Sequence, residues 1–317
     1  LEFKILEFIP KLRDWNLKFM SSQTRLTRAY NQAKRIQFTN SDKFILFSDC
    51  HRGDGSFADD FANNRNIYMH ALNQYYKNDF QYIELGDGDE LWENLFFKDI
   101  IEANKNVFLL LKKFYDKERL HMIYGNHDMI YRNPSIVKRN FSEYFDTTAA
   151  KNLPLMPNLT FNEAIVLENA ETGQELFLTH GHQADFMNYV GWKFNRFFVR
   201  VLWKPLQVWG IKDPTSPAKN YIESEKVERR IKKWIADNNN KITIVGHTHR
   251  PHFPKPNENL LSFFNDGSCV HPRNITGIEI ENGKISLIKW LIDTNDDGVL
   301  QIVKEYIETP QNLSEYK

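Results

Sequence analysis

Residues with metal-binding side chains follow several short apolar segments of the chain. They are Asp49 and His51, Asp87, Asn126, His180, and finally His247 and His249. A mixed set of carboxylate, amide and imidazole groups, with no thiolate implicated, favours Mn, Fe or Zn over Ca or Mg alone. Seven such ligands suit two divalent ions. Asp87, central in the order, is the candidate for a carboxylate that holds two ions about 3.5–4 Å apart.

The spacing within the two pairs suggests how they converge. In an extended chain, side chains two residues apart lie on the same side, so Asp49 and His51 are expected to face one centre. His247 and His249 repeat that spacing. Cys50 would then point to the opposite face, and we interpret it as a small core residue.

The elements that must position these residues alternate between strand and helix character. Short apolar runs at 44–47, 82–85 and 120–124 are typical of buried strands, and helical periodicity at 59–77 and 98–117 separates them. This alternation predicts a largely parallel sheet of an α/β protein. The carboxyl edge of such a sheet, where the polar residues fall, is the usual place for a ligand site.

The second half predicts further strands at 165–167, 175–178, 242–245, 260–265, 277–281 and 284–291. Thr172–Gly173 is expected to turn between the first two, and Asn282–Gly283 is a strong hairpin signal between the last two. We therefore expect two packed sheets with helices outside, in one continuous domain over residues 41–317. Residues 1–40 show loosely helical apolar spacing, and we interpret them as a helical N-terminal extension. The segment Asp293–Gly298 begins like a calcium loop, but Lys304 stands where that loop needs a glutamate, so we predict a turn.

Composition excludes some classes of protein. The chain has 317 residues, with 41 Lys+Arg balancing 41 Asp+Glu, which argues against a general nucleic-acid binder held by bulk positive charge. Two cysteines, Cys50 and Cys269, cannot form a disulfide framework, so a reducing compartment is expected. No apolar stretch reaches the ~18 residues of a spanning helix. We expect a cytoplasmic protein, either free or peripheral at the inner membrane surface.

An insert at about 186–235 concentrates charge and aromatic side chains. It holds 11 Lys/Arg against 4 Asp/Glu, together with 10 aromatic residues. Three interpretations stay open: a capping subdomain with its own small core, a lid for a lipid or membrane surface, or a cap that binds nucleotides or nucleic acid. The candidate substrate contacts are Arg196, Arg200, Trp203, Lys204 and Arg250. A phosphorylated small molecule or lipid is the expected partner, with no specific nucleic acid.

Five motifs of the chain resemble those of the calcineurin-like metallophosphoesterases, in that family's order. They are Asp49-x-His51, Gly86-Asp87, Gly125-Asn126-His127-Asp128, a lone His180 and Gly246-His247-x-His249. The resemblance implies a four-layer α/β/β/α sandwich with a helical insert over the active site.

The resemblance also implies roles for these residues. One metal would be held by Asp49, His51, Asp87 and His249, and the other by Asp87, Asn126, His180 and His247. His127 would contact the substrate phosphate or protonate the leaving oxygen, with Asp128 orienting its imidazole. Manganese is the first expectation for both ions, with iron or zinc as alternatives.

Within the family, the chain is most similar to the UDP-2,3-diacylglucosamine pyrophosphohydrolase-like branch. The similar features are the run Glu90–Glu93 (ELWE), the run Gly246–Pro251 (GHTHRP) and the place of the insert. His127 stands where the well-known members of that branch carry arginine. Asp89, Glu90, His182 and Asp185 lie beside predicted ligands, where they could orient those ligands or belong to solvated loops.

The resulting hypothesis is a hydrolase that cleaves a phosphoester or pyrophosphate bond by attack of a hydroxide held between two ions. The substrate would be lipid-linked or a nucleotide sugar. A nucleotide or cyclic-nucleotide phosphodiesterase is the alternative among enzymes. A binding module that has lost catalysis is the alternative from another class, although such a relative should lack ligands and this chain has every one.

Overall fold

The computed structural model describes residues 20–192, 199, 221–256 and 260–316. In these residues the α-helices are α1 Ser22–Asn31, α2 Arg65–Lys77, α3 Phe97–Ala103, α4 Lys105–Tyr115, α5 Pro134–Phe141, α6 Phe186–Val190 and α7 Tyr221–Asp237. Short 3-10 helices lie at Asp60–Asn63, Met129–Arg132, His182–Ala184 and Leu313–Glu315. Among the described helices, none combines the length and the apolar character that crossing a membrane would need.

The strands form two large sheets and one small hairpin. They are β1 Lys34–Phe38, β2 Phe44–Phe47, β3 Gln81–Leu85, β4 Leu120–Ile123, β5 Glu143–Asp146, β6 Lys151–Pro154, β7 Phe161–Asn162, β8 Ala164–Asn169, β9 Glu175–Thr179, β10 Ile242–Val245, β11 Phe263–Asn265, β12 Asn274–Glu281, β13 Lys284–Thr294 and β14 Leu300–Asn312. One sheet has the order β14-β13-β12-β2-β3-β4-β7, and the other has the order β1-β8-β9-β10-β11. The first is parallel from β2 to β7 and antiparallel from β2 to β14.

Two packed sheets with helices on both outer sides confirm the predicted layered α/β architecture. The core between the sheets joins Leu46 and Ile83 of the seven-stranded sheet to Leu178 and Ile244 of the five-stranded one. Helices α2 and α4 cover the outer face of the first sheet. Helices α1 and α7 cover the outer face of the second. The layers are therefore helix, sheet, sheet and helix.

Strand β2 illustrates why the apolar runs become strands. All four of its residues are buried, because the sheet is covered on both faces. Phe44 and Leu46 enter the core between the sheets, whereas Ile45 and Phe47 pack under the outer helices. The strand side-chain period of two therefore places apolar groups in both cores, and no polar position is needed.

The hairpin predictions agree with the structure. Strands β8 and β9 pair antiparallel across the turn at Thr172–Gly173. Strands β12 and β13 pair antiparallel across Asn282 and Gly283, which have φ values of 55° and 68°. Positive φ at both central residues is the reason why Asn-Gly is favoured in such a two-residue turn. The segment Asp293–Gly298 reverses the chain between β13 and β14, as predicted.

Several elements differ from the sequence expectations. The helix expected over 98–117 is two helices that meet at Asn104, whose side chain donates to the carbonyl groups of Gly53 and Ile100. Strand β14 is absent from the strands that the sequence predicts. Its residues are mostly exposed on the edge of the sheet, so its sequence lacks a simple apolar alternation.

The described parts of the N-terminal region and of the insert belong to the layers of the domain. Residues 1–19 lie outside the described part of the chain, but β1 is not helical and pairs in parallel with β8 as the edge of the five-stranded sheet. Residues 193–198 and 200–220 of the insert also lie outside the described part. Helix α7, counted in the insert, covers that same sheet, with Val227, Ile231 and Trp234 buried. These segments complete a layer of the domain.

We predict that Trp234→Ala lowers the free energy of unfolding by about 3–5 kcal/mol, as expected for removal of a buried tryptophan. Trp234 is 1% exposed and packs against Phe177. Tyr221→Ala, which changes an exposed residue of the same helix, is the control and should change stability by less than about 1 kcal/mol. Urea unfolding of both variants measures the difference. Similar small losses for both would contradict the assignment of α7 to the core.

Candidate metal centre

The seven predicted ligands converge at one edge of the two sheets. Each follows the carboxyl end of a strand: Asp49 and His51 follow β2, Asp87 follows β3, Asn126 follows β4, His180 follows β9, and His247 and His249 follow β10. Because β2, β3 and β4 are parallel neighbours, and β9 and β10 are parallel in the facing sheet, these five loops meet at the same end of the sandwich. The topology therefore brings together residues that lie up to 200 positions apart.

The ligand atoms form two compact groups. In the first, His249 Nε2 lies 2.9 Å from Asp49 Oδ1 and 3.3 Å from His51 Nε2. In the second, which also includes His247, His180 Nε2 lies 3.1 Å from Asp87 Oδ2. Within each group, the potential ligand atoms all lie within 4.8 Å of one another.

The two groups are also close to each other. Asp87 Oδ2 lies 3.9 Å from His51 Nε2 in the first group, and Asp49 Oδ1 lies 3.9 Å from His180 Nε2 in the second. Asp87 thus stands between the groups, as its central place in the sequence order suggested.

Unsatisfied polar atoms test whether this arrangement fits metal ions. Asn126 Oδ1 and both ring nitrogens of His247 are buried without a hydrogen bond. Asp49 Oδ1 and His180 Nε2 are buried too, and their close contacts to His249 and Asp87 lack hydrogen-bond geometry. A buried polar atom without a partner costs about 1–3 kcal/mol. All these groups offer lone pairs that a cation would satisfy, so the residues fit divalent ions held by nitrogen and oxygen ligands.

The backbone of the ligand loops corrects the expected geometry of the two pairs. Asp49, His51, Asp87, His247 and His249 all have positive φ values, between 47° and 67°. The pairs are therefore not extended segments whose side chains alternate, and their convergence comes from left-handed backbone at each ligand. Such a conformation costs non-glycine residues of order 1–3 kcal/mol each and persists only when the surroundings impose it.

Hydrogen bonds between the loops impose this conformation. The amide of Asp49 donates to the Gly86 carbonyl at 3.0 Å, and the amide of His51 donates to the Asp87 carbonyl at 2.9 Å. The amide of His247 donates to Asp49 Oδ2 at 2.9 Å. Each bond ties a ligand of one loop to the neighbouring loop, so the loops hold one another in place.

Two glycines allow the loops to approach so closely. A Cβ atom on Gly125 would lie 2.0 Å from Asp87 Oδ1, and one on Gly246 would lie 2.3 Å from Ser48 Oγ. The amide of His127 donates to the same Asp87 Oδ1 at 2.8 Å. Asp87 therefore uses one oxygen for the protein and keeps Oδ2 toward the centre.

The electrostatics of the centre reflect these close contacts. Burial alone would raise the pKa of Asp87, but the facing His180 and His127 hold that pKa below its ordinary value. For Asp49 the same opposition between burial and the facing His249 and His180 leaves the pKa well below its ordinary value. Both carboxylates are therefore ionised, as metal ligands must be.

His180 is oriented by the backbone. Its Nδ1 lies 2.9 Å from the carbonyl oxygen of Leu85, so this nitrogen carries the proton and Nε2 faces the centre. A backbone carbonyl that fixes the tautomer of a ligating histidine is a common arrangement around metals.

His127 stands beside the first group, held by Glu90 and Trp92, for which the sequence analysis predicts no firm role. Its Nδ1 lies 2.8 Å from Glu90 Oε1 and 2.7 Å from Glu90 Oε2, and the same Oε2 lies 2.7 Å from His51 Nδ1. Trp92 stacks on the His127 ring with centroids 4.1 Å apart and planes 17° apart. Trp92 Nε1 also donates to the Asn126 carbonyl at 2.7 Å. Glu90 and Trp92 thus fix both the ring and its tautomer.

Asp128, the expected partner of the His127 imidazole, instead accepts hydrogen bonds from the backbone of two loops. The Asp128 carboxylate accepts hydrogen bonds from the amides of Gly125 at 2.6 Å and Gly88 at 2.9 Å. Asp128 therefore joins the loops after β3 and β4, and Glu90 is the carboxylate on the imidazole. The available sequence signal was the position of Glu90, three residues after Asp87, where a tight turn can bring a side chain back to the centre.

A buried ion network supports the loops from below. Arg52 donates to both oxygens of Glu84 at 2.6 and 2.7 Å and to Asp89 Oδ1 at 2.8 Å. Tyr131 donates to the other oxygen of Asp89 at 2.8 Å. All four side chains are buried. Arg52, the residue after His51, therefore ties the loop after β2 to strand β3 and to the loop that carries Asp87. Asp89 is thus a buried structural residue of the loop and is not part of a solvated turn.

The remaining candidates fall in different places. The guanidinium of Arg250 lies over the ring of Tyr221 at 4.3 Å, directly after the last ligand motif. Asp185 Oδ2 lies 3.5 Å from His247 Nε2, and the ring of His182 is buried and stacked with Tyr189. Arg196, Arg200, Trp203 and Lys204 lie outside the described residues. Cys50 and Cys269 are reduced and buried in the core, as expected for Cys50.

We predict that Asp87→Ala removes bound metal from both groups, because its carboxylate stands between them. Metal analysis of the purified protein by mass spectrometry measures the stoichiometry. Asp116→Ala, which changes a surface carboxylate, is the control and should leave the metal content unchanged. Full metal occupancy in Asp87→Ala would contradict the assignment of this centre.

The profile of one known protein family matches most of the chain. A sequence profile described as "Calcineurin-like phosphoesterase" matches residues 42–251. These residues include all seven predicted ligands. The solved structure of Vps29 from Chaetomium thermophilum covers 87% of this chain and 100% of its own, with 9% identity and a TM-score of 0.36. A search of curated proteins finds no significant match.

Proposed function

Because the chain belongs to the calcineurin-like phosphoesterase family, we propose that it hydrolyses a phosphoester or pyrophosphate bond with two divalent ions. One observation carries the proposal: carboxylate and imidazole atoms from four loops cluster within 4.8 Å of one another in two adjoining groups, and several of them lack a hydrogen bond. Asn126, from a fifth loop, also keeps its side-chain oxygen buried without one. A binding module that had lost catalysis would not need to keep every ligand and His127 in place.

The proposed ligand sets follow the two groups. Asp49, His51, Asp87 and His249 would hold one ion. Asp87, Asn126, His180 and His247 would hold the other. When bound, such ions supply a strongly acidified water and offset the charge of the phosphoryl oxygens. Manganese suits this ligand set, with iron and zinc as the alternatives.

His127 would supply the proton for the leaving oxygen. Glu90 occupies its Nδ1, so Nε2 is the nitrogen available to a substrate. With Nδ1–H bonded to Glu90, the ring would donate from Nε2 in its doubly protonated form and return to the neutral form. The stacked Trp92 keeps the ring from rotating away. The proton would move from Nε2 to the departing oxygen as the bond to phosphorus breaks.

For the substrate, we propose a lipid-linked or nucleotide-sugar pyrophosphate, by likeness to the UDP-2,3-diacylglucosamine pyrophosphohydrolase-like branch. Two features support it. The acidic-aromatic run at 90–93 contributes Glu90 and Trp92 to the centre. Arg250, with its fixed charge, lies beside the last ligand motif, where a second phosphate could bind. A nucleotide or cyclic-nucleotide phosphodiesterase is the second candidate, because Tyr221 and Arg250 could also receive a base and its phosphate.

We predict that His127→Ala keeps its metal but lowers kcat about 10²–10⁴-fold for substrates whose leaving group needs a proton. Glu90→Gln should lower kcat about 10–100-fold, because the amide offers one acceptor oxygen where the carboxylate offers two and orients the His127 ring less firmly. With p-nitrophenolate, which leaves without a proton, both losses should be much smaller. Equal losses on both kinds of leaving group would show that these residues do not serve proton transfer.

The function itself is tested with a panel of substrates and added manganese. The panel contains p-nitrophenyl phosphate, bis-p-nitrophenyl phosphate, a cyclic nucleotide, a nucleotide sugar and an acylated nucleotide sugar. We expect the acylated compound to be hydrolysed at least about tenfold faster than its bare counterpart, since a hydrophobic contact of one or two methylenes is worth that much. Preference for the cyclic nucleotide would favour the second candidate. Absence of bound metal together with absence of hydrolysis would favour the binding module.

A further inference from the structure

A sixth loop at the metal-site edge, residues 266–273, supplies none of the predicted ligands but reaches the centre. Strand β11 lies parallel to β10, so this loop leaves the same edge as the loop that carries the last two predicted ligands. The amide of Asp266 donates to the Val245 carbonyl at 3.0 Å. The side chain of Asn265 donates to the Gly246 carbonyl at 2.8 Å. The start of the sixth loop is therefore fixed against the last ligand loop.

Asp266 is a buried carboxyl group that the proposed metal centre does not use. Its side chain is 0% exposed, although aspartate is rarely buried completely unless it is paired. Asp266 Oδ1 lies 2.7 Å from the hydroxyl oxygen of Ser48. Asp266 Oδ2 is buried without a hydrogen bond to any described residue. An ionised carboxylate in this position would leave a negative charge removed from water beside one hydroxyl group, which is costly.

The Ser48 hydroxyl also connects Asp266 to a predicted metal ligand. Ser48 Oγ is buried and lies 2.5 Å from Asp49 Oδ2. The same oxygen of Asp49 accepts the amide of His247 at 2.9 Å. The other oxygen, Oδ1, lies 2.9 Å from His249 Nε2 in the first group. Asp266, Ser48 and Asp49 thus form a hydrogen-bond network that ends on the Asp49 oxygen bound to the protein.

The number of protons in this network decides the state of Asp266. A hydroxyl group carries one proton, so Ser48 can donate to one of the two carboxyl groups but not to both. If both were ionised, one of the two contacts would have no donor. Burial opposes the ionisation of Asp49, but the facing His249 and His180 hold its pKa well below the ordinary value. Burial and the nearby charge of Asp49 raise the pKa of Asp266 well above the ordinary value. The extra proton therefore belongs to Asp266.

We propose that Asp266, as a neutral carboxylic acid, is a positioning residue for the metal ligand Asp49. Its Oδ1–H donates to Ser48 Oγ, and the Ser48 hydroxyl donates to Asp49 Oδ2. This hydroxyl and the His247 amide together hold one oxygen of Asp49, so Oδ1 stays directed at the first group. Hydrogen-bond partners of this kind orient ligating carboxylates and strengthen metal binding. The inference rests on the proposed function, because it assigns Asp49 to an ion of the first group.

Binding of Mn²⁺ to the full-length protein tests this role. Asp266→Ala and Ser48→Ala should each weaken the ion of the first group about 10–100-fold, the range usual for loss of a ligand's partner. Asp266→Asn should bind both ions as the wild type does, because its amide nitrogen can donate to Ser48 Oγ. Asp49→Asn, the same change at the other end of the network, is the matched control and should lose the ion of the first group. Metal analysis after dialysis against chelator-buffered Mn²⁺ gives the number of ions bound at each free concentration.

Two further measurements separate positioning from a general loss of structure. The double variant Ser48→Ala/Asp266→Ala should bind Mn²⁺ no more weakly than Ser48→Ala, because Asp266 acts through Ser48, whereas independent effects would add. The infrared spectrum of protein with ¹³C-labelled aspartate carboxyl groups reports the proton without any metal. The difference between the wild type and Asp266→Asn should contain the carbonyl band of a protonated carboxylic acid.

Three results would overturn the inference. They are a loss of Mn²⁺ binding in Asp266→Asn equal to that in Asp266→Ala, unchanged binding in Asp266→Ala, or absence of the acid band from the difference spectrum. Hydrolysis of bis-p-nitrophenyl phosphate by the same samples separates the two proposals. Turnover by the wild type together with any of these results defeats the positioning role alone. The expected Mn²⁺ pattern without turnover on any substrate of the panel defeats the proposed function alone, and a wild type that binds no Mn²⁺ defeats both.

Discussion

The buried carboxylates of Asp49 and Asp87 and the imidazoles that face them are the interaction on which the rest of the structure depends. Each carboxylate directs one oxygen to the protein and one to the centre. Desolvation of such groups is costly unless opposite charge is close. The layers of the fold bury both carboxylates, and the loops bring the imidazole nitrogens next to them. A pair of bound cations would offset the cost of burying these two carboxylates.

Strain in the backbone has the same origin. Five ligand residues adopt left-handed φ values, which a free chain would avoid. They are held by bonds between loops, by the close approach at Gly125 and Gly246, and by the Arg52 network beneath. The stable parallel strands below provide the fixed positions from which these bonds act. The packed strands and the bonds between the loops therefore hold the predicted ligands in a fixed geometry at the edge of the sheets.

Two kinds of contact occur at the centre: contacts among the predicted metal ligands, and contacts that orient His127. Asp87 and the other predicted ligands form the proposed metal site, whereas Glu90 and Trp92 hold the His127 ring in place. Glu90 joins the two, because its Oε2 lies 2.7 Å from His51 Nδ1 and 2.7 Å from His127 Nδ1. The proposed proton donor His127 and the proposed metal ligand His51 therefore share one carboxylate, which ties the positions of the two rings together.

The sequence by itself was enough for the layered α/β architecture and for the convergence of the seven ligands. Apolar runs identify strands buried on both faces, and parallel strands place their carboxyl ends at one edge. It was not enough for the left-handed loop geometry, for Glu90 as the partner of His127, for the Arg52 network or for α7 as a core helix. Those features depend on contacts between residues far apart in the chain, such as Arg52 with Glu84 and Trp234 with Phe177. Local patterns carry the side-chain period and the turn chemistry, whereas only the packed structure determines which carboxylate meets which ring.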